Sequence, residues 1–221
     1  MSTIHVAGST QALCSLCDEM SGGMPAPFRS ASGLTHRIIK ATPSFVVLPS
    51  ISPLVAGHVM IIPKDHSSGM LSAAATRKQF LSVLDLVFTA VSASYGLSCV
   101  FEHGIGIGMT GGCGIDHAHV HVLPLSLSRI AVVHEALARD FDRAPRISID
   151  QAFENHDCTS SYLFFGSSPL DVVVHYSEEI PSQYIRHTIA AALNQPCRHW
   201  REMFGWDQFV DTFARLSRSL A

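Results

Sequence analysis

The sequence predicts an α+β fold built on an antiparallel sheet with helices packed against it. Three observations carry this expectation. Apolar, β-rich runs come in clusters and do not alternate regularly with helical segments, which disfavours a parallel βαβ sheet. The clearest helical periodicity lies in one stretch, where Phe80, Leu84, Val87, Phe88 and Val91 recur at the spacing of one helix face. Between these segments stand turn signals, among them Thr42-Pro43, Pro63, Gly96 and Pro124.

In chain order, His36 to Ala41 and Ser44 to Leu48 read as two β-rich runs split by Thr42-Pro43. His58 to Ile62 reads as a strand stopped by Pro63. The helix around Phe80 to Val91 ends at Gly96, and Leu97 to Glu102 reads as the next strand. A glycine-rich loop follows from Gly104 to Gly114, then a strand from His117 to Leu123. Beyond it, Ile130 to Phe141 reads as helical, Tyr162 to Phe165 and Asp171 to Tyr176 as strands, and Ser182 to Leu193 and Asp207 to Leu220 as helices. The stretch Ser21 to Ser32, with Gly22, Gly23, Pro25 and Pro27, reads as a loop. Trp200, Phe204, Trp206 and Phe209 read as packing anchors for the last helices.

The 221 residues suffice for one sizeable core with an extension, and no linker composition marks a second independent domain. Residues 1–126 are read as the core and 127–221 as a C-terminal α/β extension packed on it. Apolar residues make up 47% and charged residues 15%, which excludes global disorder. No apolar run reaches the roughly 18 residues of a membrane span, and the first residues lack the basic start and apolar run of a secretory signal. A cytoplasmic chain with no membrane partner is the expectation. The net charge of −3, with Lys and Arg scattered, argues against general nucleic-acid binding but allows a small phosphorylated ligand.

Chemistry concentrates in His117-Ala118-His119-Val120-His121-Val122-Leu123. On a strand, His117, His119 and His121 project from one face, while Ala118, Val120 and Val122 project from the other. A lone histidine there would be read as a hydrogen-bonded residue on a wet sheet face. Three in strict alternation on an otherwise apolar strand call for chemistry. One metal ion cannot serve the whole row, because residues i and i+4 on a strand sit roughly 13 Å apart whereas a Zn–N bond is about 2.0–2.1 Å. Two roles divided along the strand fit better. A neutral imidazole is a competent nucleophile near pH 7. A backbone carbonyl or a neighbouring histidine on its other nitrogen would fix the tautomer this requires.

The His-x-His-x-His strand resembles the signature of the histidine-triad superfamily. The resemblance extends to Gly57-His58-Val59-Met60-Ile61-Ile62-Pro63-Lys64-Asp65-His66, similar to the family's strand ending in Pro-Lys-x-His. Phe101-Glu102-His103-Gly104 and Gly112-Cys113-Gly114 resemble the branch that includes galactose-1-phosphate uridylyltransferase. Together these landmarks run from Cys14 to Pro124. The resemblance implies a HIT-like fold, His119 as the nucleophile that takes up a nucleotidyl group, His121 near the leaving group, and His58 on the neighbouring strand as the partner of His121. It also allows a homodimer, whose surface the C-terminal extension could instead cover.

Gly106-Ile107-Gly108-Met109-Thr110-Gly111 matches the dinucleotide-binding pattern letter by letter, but a strand and not a helix follows, so no helix N-terminus awaits a pyrophosphate. The alternatives are a plain hairpin connection or backbone N–H groups turned toward phosphate. Gly112, Cys113 and Gly114, just before the triad strand, favour the second. Relatives often carry Ser or Thr where Gly114 stands, so any phosphate contact there must come from the backbone. His103 joins these as a substrate contact. Longer bacterial members carry a segment similar to Pro181-Ser182-Gln183, which implies that Gln183 and Arg186 reach base or phosphate. A capped surface helix explains those residues equally well.

Cys14-Ser15-Leu16-Cys17 has metal-ligand spacing, and no βαβ context supports a redox pair. The uridylyltransferase branch joins such a pair to two histidines around zinc. Carried over residue by residue, this implies a structural zinc held by Cys14, Cys17, His66 and His117. Cys99, Cys113, Cys158 and Cys197 lack such spacing and read as buried thiols.

These readings combine into a nucleotidyl hydrolase that cleaves a phosphoanhydride or phosphoramidate, such as a diadenosine polyphosphate, through a nucleotidyl-histidine. The uridylyltransferases carry Gln where His121 stands, which favours water as acceptor. A nucleotidyltransferase or phosphorylase passing the group to a sugar phosphate or orthophosphate is the alternative. A non-catalytic nucleotide-binding protein is the third reading.

Overall fold

The computed structural model describes residues 14–23, 34–106, 115, 117–196, 199–202 and 204–221. The chain divides into two compact units, Met1–His36 and Arg37–Ala221. In the first, helix α1 (Ser15–Met20) starts from Cys14 as its N-cap. A hydrogen bond of 2.9 Å from the Asp18 N–H to the Cys14 carbonyl closes the first turn, which sets Cys14 and Cys17 one turn apart on one side of the helix.

The second unit holds an eight-stranded sheet. Its strands are β1 (Lys40–Ala41), β2 (Phe45–Pro49), β3 (Val59–Pro63), β4 (Ser98–Gly104), β5 (Val120–Pro124), β6 (Arg146–Ile147), β7 (Tyr162–Ser168) and β8 (Asp171–Tyr176). Their order is β1-β2-β3-β5-β4-β7-β8-β6, and every neighbouring pair is antiparallel. The helices are α2 (Arg77–Tyr95), α3 (Leu127–Asp140), α4 (Ile149–Asn155), α5 (Tyr184–Ala192) and α6 (Trp206–Ser219). The predicted α+β class and antiparallel sheet are thus present. Residues 127–221 contribute three strands to the same sheet that carries the histidines.

Both sheet faces are buried, so strands such as Phe45–Pro49 read as unbroken apolar runs where a one-sided sheet would alternate. One face packs Val59, Ile61, Val100, Val120, Val122 and Phe164 against Leu84 and Val87 of α2, Phe153 of α4 and Leu216 of α6. The other face packs Phe101, Leu123, Leu163 and Phe165 against Ile130 and Val133 of α3 and Ile185 and Ile189 of α5. Strand alternation therefore puts Ala118, Val120 and Val122 into the first core, and leaves the other face of the triad segment for histidines.

Several predicted boundaries shift. The run His36 to Ala41 pairs as a strand only at Lys40–Ala41, because the Arg37 side chain turns inward to donate to the Pro49 carbonyl at 2.5 Å. The triad strand enters the ladder at Val120, three residues later than expected. Helix α3 begins at Leu127 and not Ile130. Helix α5 begins at Tyr184 and not Ser182, because Gln183 takes a left-handed conformation (φ 60°) that a helical residue cannot have. Helix α4 was not expected, although Ser148 and Gln151 form a capping box whose Ser-x-x-Gln spacing is visible in the sequence. Of the aromatic anchors, Phe209 is buried whereas Phe204 is exposed on the surface. Most of the expected loop Ser21 to Ser32, and Gly112, Cys113 and Gly114, lie outside the described residues.

Gly57 makes the turn into β3. Its φ is +87°, a Cβ there would lie 2.7 Å from the Tyr95 ring, and its N–H donates to Thr212 Oγ1 at 2.7 Å. Gly57→Ala combines backbone strain with overpacking and should lower the unfolding free energy by about 2–4 kcal/mol, read by urea denaturation. A loss within the roughly 0.5 kcal/mol of ordinary surface changes would contradict this packing.

Candidate active site

The site grows from the register of three central strands. On β5, His121 stands opposite Met60 of β3 and Phe101 of β4. His58 lies two residues before Met60 and so shares its face. The ring of Phe101 stacks on His121 with centroids 4.4 Å apart and planes 14° from parallel. His58, His117, His119 and His121 are all buried.

Hydrogen bonds assign a tautomer to each ring. The Leu54 N–H donates to His58 Nδ1 at 3.2 Å, so the proton of neutral His58 sits on Nε2. That Nε2 lies 2.8 Å from His121 Nδ1, which must then accept. The proton of neutral His121 is accordingly on Nε2. His119 runs the opposite way: its Nδ1 is 2.6 Å from the His117 carbonyl, an acceptor only, so Nδ1 carries the proton and Nε2 carries the lone pair. The His119 and His121 rings meet edge to face, 4.9 Å between centroids. A lone-pair nitrogen and an N–H donor thus stand side by side.

Electrostatics keep the supporting rings neutral. Burial lowers His58 well below the ordinary imidazole value, helped by the charges of Arg186 and His119. Burial, then His119, His58 and Arg186, lowers His121 likewise. His103 is pushed down to about 4 by burial and by His119. Its Nδ1 is buried and has no hydrogen-bond partner among the described residues.

The second half of the chain completes the site. Gln183, Ile185 and Arg186 share one cavity with Phe101, His103, His119 and His121. Arg186 donates through Nη2 to the Ser52 carbonyl at 2.8 Å and to its Oγ at 3.1 Å. Gln195 donates to the Leu54 carbonyl at 3.0 Å. The loop from β2 to β3 that sets the tautomer of His58 is therefore held from α5 and the residue stretch after it. Gln183 is buried, with its Oε1 accepting the Trp200 N–H at 3.3 Å. A buried polar residue with positive φ at a cavity wall is the kind of strain that accumulates at functional sites.

Two half-sites carry metal-ligating atoms. Within the second unit, the rings of His66 and His117 meet edge to face at 4.9 Å. The Nε2–H of His117 donates to the Pro63 carbonyl at 2.8 Å, which puts its lone pair on Nδ1. Within the first unit, Cys17 is raised above the usual thiol value by burial, by a hydrogen bond with Cys14 and by the charge of Cys14. Thiols and imidazole nitrogens are each donor types that suit zinc. Burial pushes the Cys99 thiol up, as expected of an inert core cysteine.

The structure thus brings together His58, His103, His119, His121, Gln183 and Arg186, and separately pairs His66 with His117 and Cys14 with Cys17. Sequence reasoning gave no role to Phe101, Ser52, Leu54 or Glu102. Phe101 could have been found by pairing the predicted strands and reading the residue opposite His121. The contacts of Ser52 and Leu54 have no sequence signal, since main-chain atoms supply most of them.

Part of the chain is similar to known proteins. The HIT domain family matches residues 33–126. An uncharacterized HIT-like protein of Synechococcus elongatus is 32% identical over 73 residues, 33% of this chain and 64% of the relative. The chain thus spans slightly under two-thirds of that relative's length. Protein HitA of Neisseria gonorrhoeae is 28% identical over 78 residues, covering 35% of this chain and 73% of the relative. Among solved structures, a hypothetical histidine triad nucleotide-binding protein from Sulfolobus tokodaii aligns with a TM-score of 0.38 and 23% identity. That alignment covers 52% of this chain and 70% of the other. Residues 33–126, the part of the chain that carries the histidine strand, are thus similar to the HIT domain family.

Proposed function

We propose that the protein is a nucleotidyl hydrolase in which His119 attacks the α-phosphorus of a nucleotide phosphoanhydride. One observation carries this reading: the hydrogen bond from His119 Nδ1 to the His117 carbonyl commits the lone pair to Nε2, beside the N–H donor of His121.

The chemistry follows from the tautomers. His119 Nε2 forms a bond to phosphorus while the bond from phosphorus to the leaving oxygen breaks, its electrons departing with that oxygen. The His121 Nε2–H hydrogen-bonds the charge that develops there. Because His121 is held neutral by burial, it offers a hydrogen bond and not a spare proton. That suits a phosphoanhydride, whose leaving phosphate departs as an anion, better than a phosphoramidate, whose amine needs protonation. Water then attacks phosphorus, and the P–N bond breaks. The water's oxygen and protons leave with the nucleotide, and the lone pair returns to Nε2. Arg186 and Gln183 line the cavity as contacts to phosphate and nucleoside, with His103 as a further hydrogen-bonding partner. Gly112, Cys113 and Gly114 are proposed to add main-chain N–H donors. Histidine rather than Gln at position 121 favours water over a sugar phosphate as acceptor.

Cys14, Cys17, His66 and His117 are proposed to share one structural zinc. The metal would supply no step of the reaction. It would fix the ring of His117, whose carbonyl in turn orients the nucleophile.

His119→Ala should lower turnover of diadenosine tetraphosphate by at least about 10³-fold with the melting temperature retained. A variant that keeps most activity overturns the mechanism. Fresh, reduced protein purified without added zinc should contain close to one zinc per chain, lost in Cys14→Ser and Cys17→Ser. Zinc-free protein would remove the metal proposal.

A further inference from the structure

One ionisable side chain beneath the triad has been given no role. Glu102 projects from β4 to the face opposite Phe101 and His103, among apolar residues, and is only 1% exposed. A bare carboxylate in such a place is costly, yet everything around it donates. The Met70 N–H reaches Oε1 at 2.9 Å, and the Tyr162 hydroxyl donates to Oε2. The His119 main chain adds a weaker influence that favours the charged carboxyl. The Tyr162 oxygen in turn accepts the Leu71 N–H at 2.9 Å. Packing fixes this knot. A Cβ on Gly104 would fall 2.3 Å from the Tyr162 ring, and one on Gly69 would meet its hydroxyl at 3.1 Å. On the triad segment, the Ala118 N–H donates to the Ser67 carbonyl at 2.6 Å.

Two donors hold this carboxyl, one on each oxygen, and a proton placed on it would displace one of them. The surroundings therefore favour the charged form against the burial that opposes it. The reacting ring supplies the reason to keep a charge there. When Nε2 of His119 bonds to phosphorus while Nδ1 keeps its proton, the ring becomes an imidazolium in a buried site.

We infer that Glu102 is a positioning residue of nucleotidyl transfer: its carboxylate fixes the main chain that carries His119 and balances the imidazolium formed when Nε2 takes the phosphorus. This rests on His119 being the nucleophile. Burial lifts Glu102 to about 7, and the Tyr162 hydroxyl, the Met70 N–H and His119 pull against that rise. The titratable groups facing it are Tyr162 of β7 and His119. His156 stands behind Tyr162, ring centroids 4.9 Å apart, and α2 brings apolar Leu84 and Val87 to this face. Activity that needs the ionised form is lost as pH falls through this range.

The test compares wild type, Glu102→Gln and Tyr162→Phe, all as the full chain. It reads turnover of diadenosine tetraphosphate against pH, and the His119 main-chain amide by NMR. Glu102→Gln should lower kcat on the order of 10- to 100-fold, the range for outer groups that orient a reacting centre, with KM nearly unchanged. Its His119 amide resonance should move as the neighbouring charge is lost. Wild-type kcat together with an unmoved amide resonance overturns the role of Glu102 and leaves His119 as nucleophile standing. A wild-type protein that is silent on this substrate, and no different from His119→Ala, overturns the mechanism and this role together. If Glu102→Gln does not fold, Tyr162→Phe decides. It keeps the carboxylate but removes a donor, so the acid limb of kcat should move to higher pH, and an unmoved limb overturns the proposal.

Discussion

The 2.6 Å hydrogen bond between His119 Nδ1 and the His117 carbonyl is the contact on which the rest of the site depends. A neutral imidazole can be donor or acceptor at either nitrogen, and only a fixed partner decides which one can attack. A carbonyl has no proton to give, so it removes the ambiguity without adding charge. Its direction is then set by what holds the main chain at residues 117–119: the Pro63 carbonyl on the His117 ring and the Ser67 carbonyl on the Ala118 N–H. The adjacent relay from the Leu54 N–H through His58 to His121 works the same way and ends in a donor. Two neighbouring rings thus carry opposite polarity although they are chemically identical.

The two-sided burial of the sheet explains why so much chain surrounds so small a site. One face is closed by α2, α4 and α6, and the other by α3 and α5. The histidines stand on the face covered by α3 and α5, and the turn into α5 brings Gln183 and Arg186 to them. Residues after the HIT domain therefore do more than lengthen the sheet, because Arg186 and Gln195 also hold the β2–β3 loop through Ser52 and Leu54. Loss of that contact would loosen the Leu54 N–H and with it the tautomer of His58.

Much of this was legible in the residues, and the rest was hidden for physical reasons. Alternation of His117, His119 and His121 with Ala118, Val120 and Val122 correctly divided the segment between cavity and core, because side-chain period on an extended chain is independent of pairing partners. The pairing of His58 with His121, implied by the resemblance, is seen as a 2.8 Å contact between His58 Nε2 and His121 Nδ1. Boundaries were less accessible. Arg37 leaves the expected first strand because of one buried hydrogen bond to Pro49, a contact no local pattern encodes. The start of α5 was misplaced because Pro181 and a polar first turn suit a helix locally, while the fold imposes positive φ on Gln183. Helix α4 was missed despite its Ser148–Gln151 capping box, since seven residues are too few for periodicity to show. Glu102 looked like one letter in a motif, and its burial between β7 and the Ser67–Leu71 stretch appears only once the strands are paired.

Intact-protein mass spectrometry after brief exposure to nucleotide tests the central claim most directly. The panel is diadenosine tetraphosphate, adenosine 5′-phosphoramidate and a UDP-sugar, quenched at alkaline pH because the P–N bond is acid-labile. A gain of one nucleotidyl mass from the diadenosine compound, absent in His119→Ala, is the expected result. Product formation by the wild type with no such gain at any quench time, or the same gain in His119→Ala, would contradict a covalent mechanism at His119.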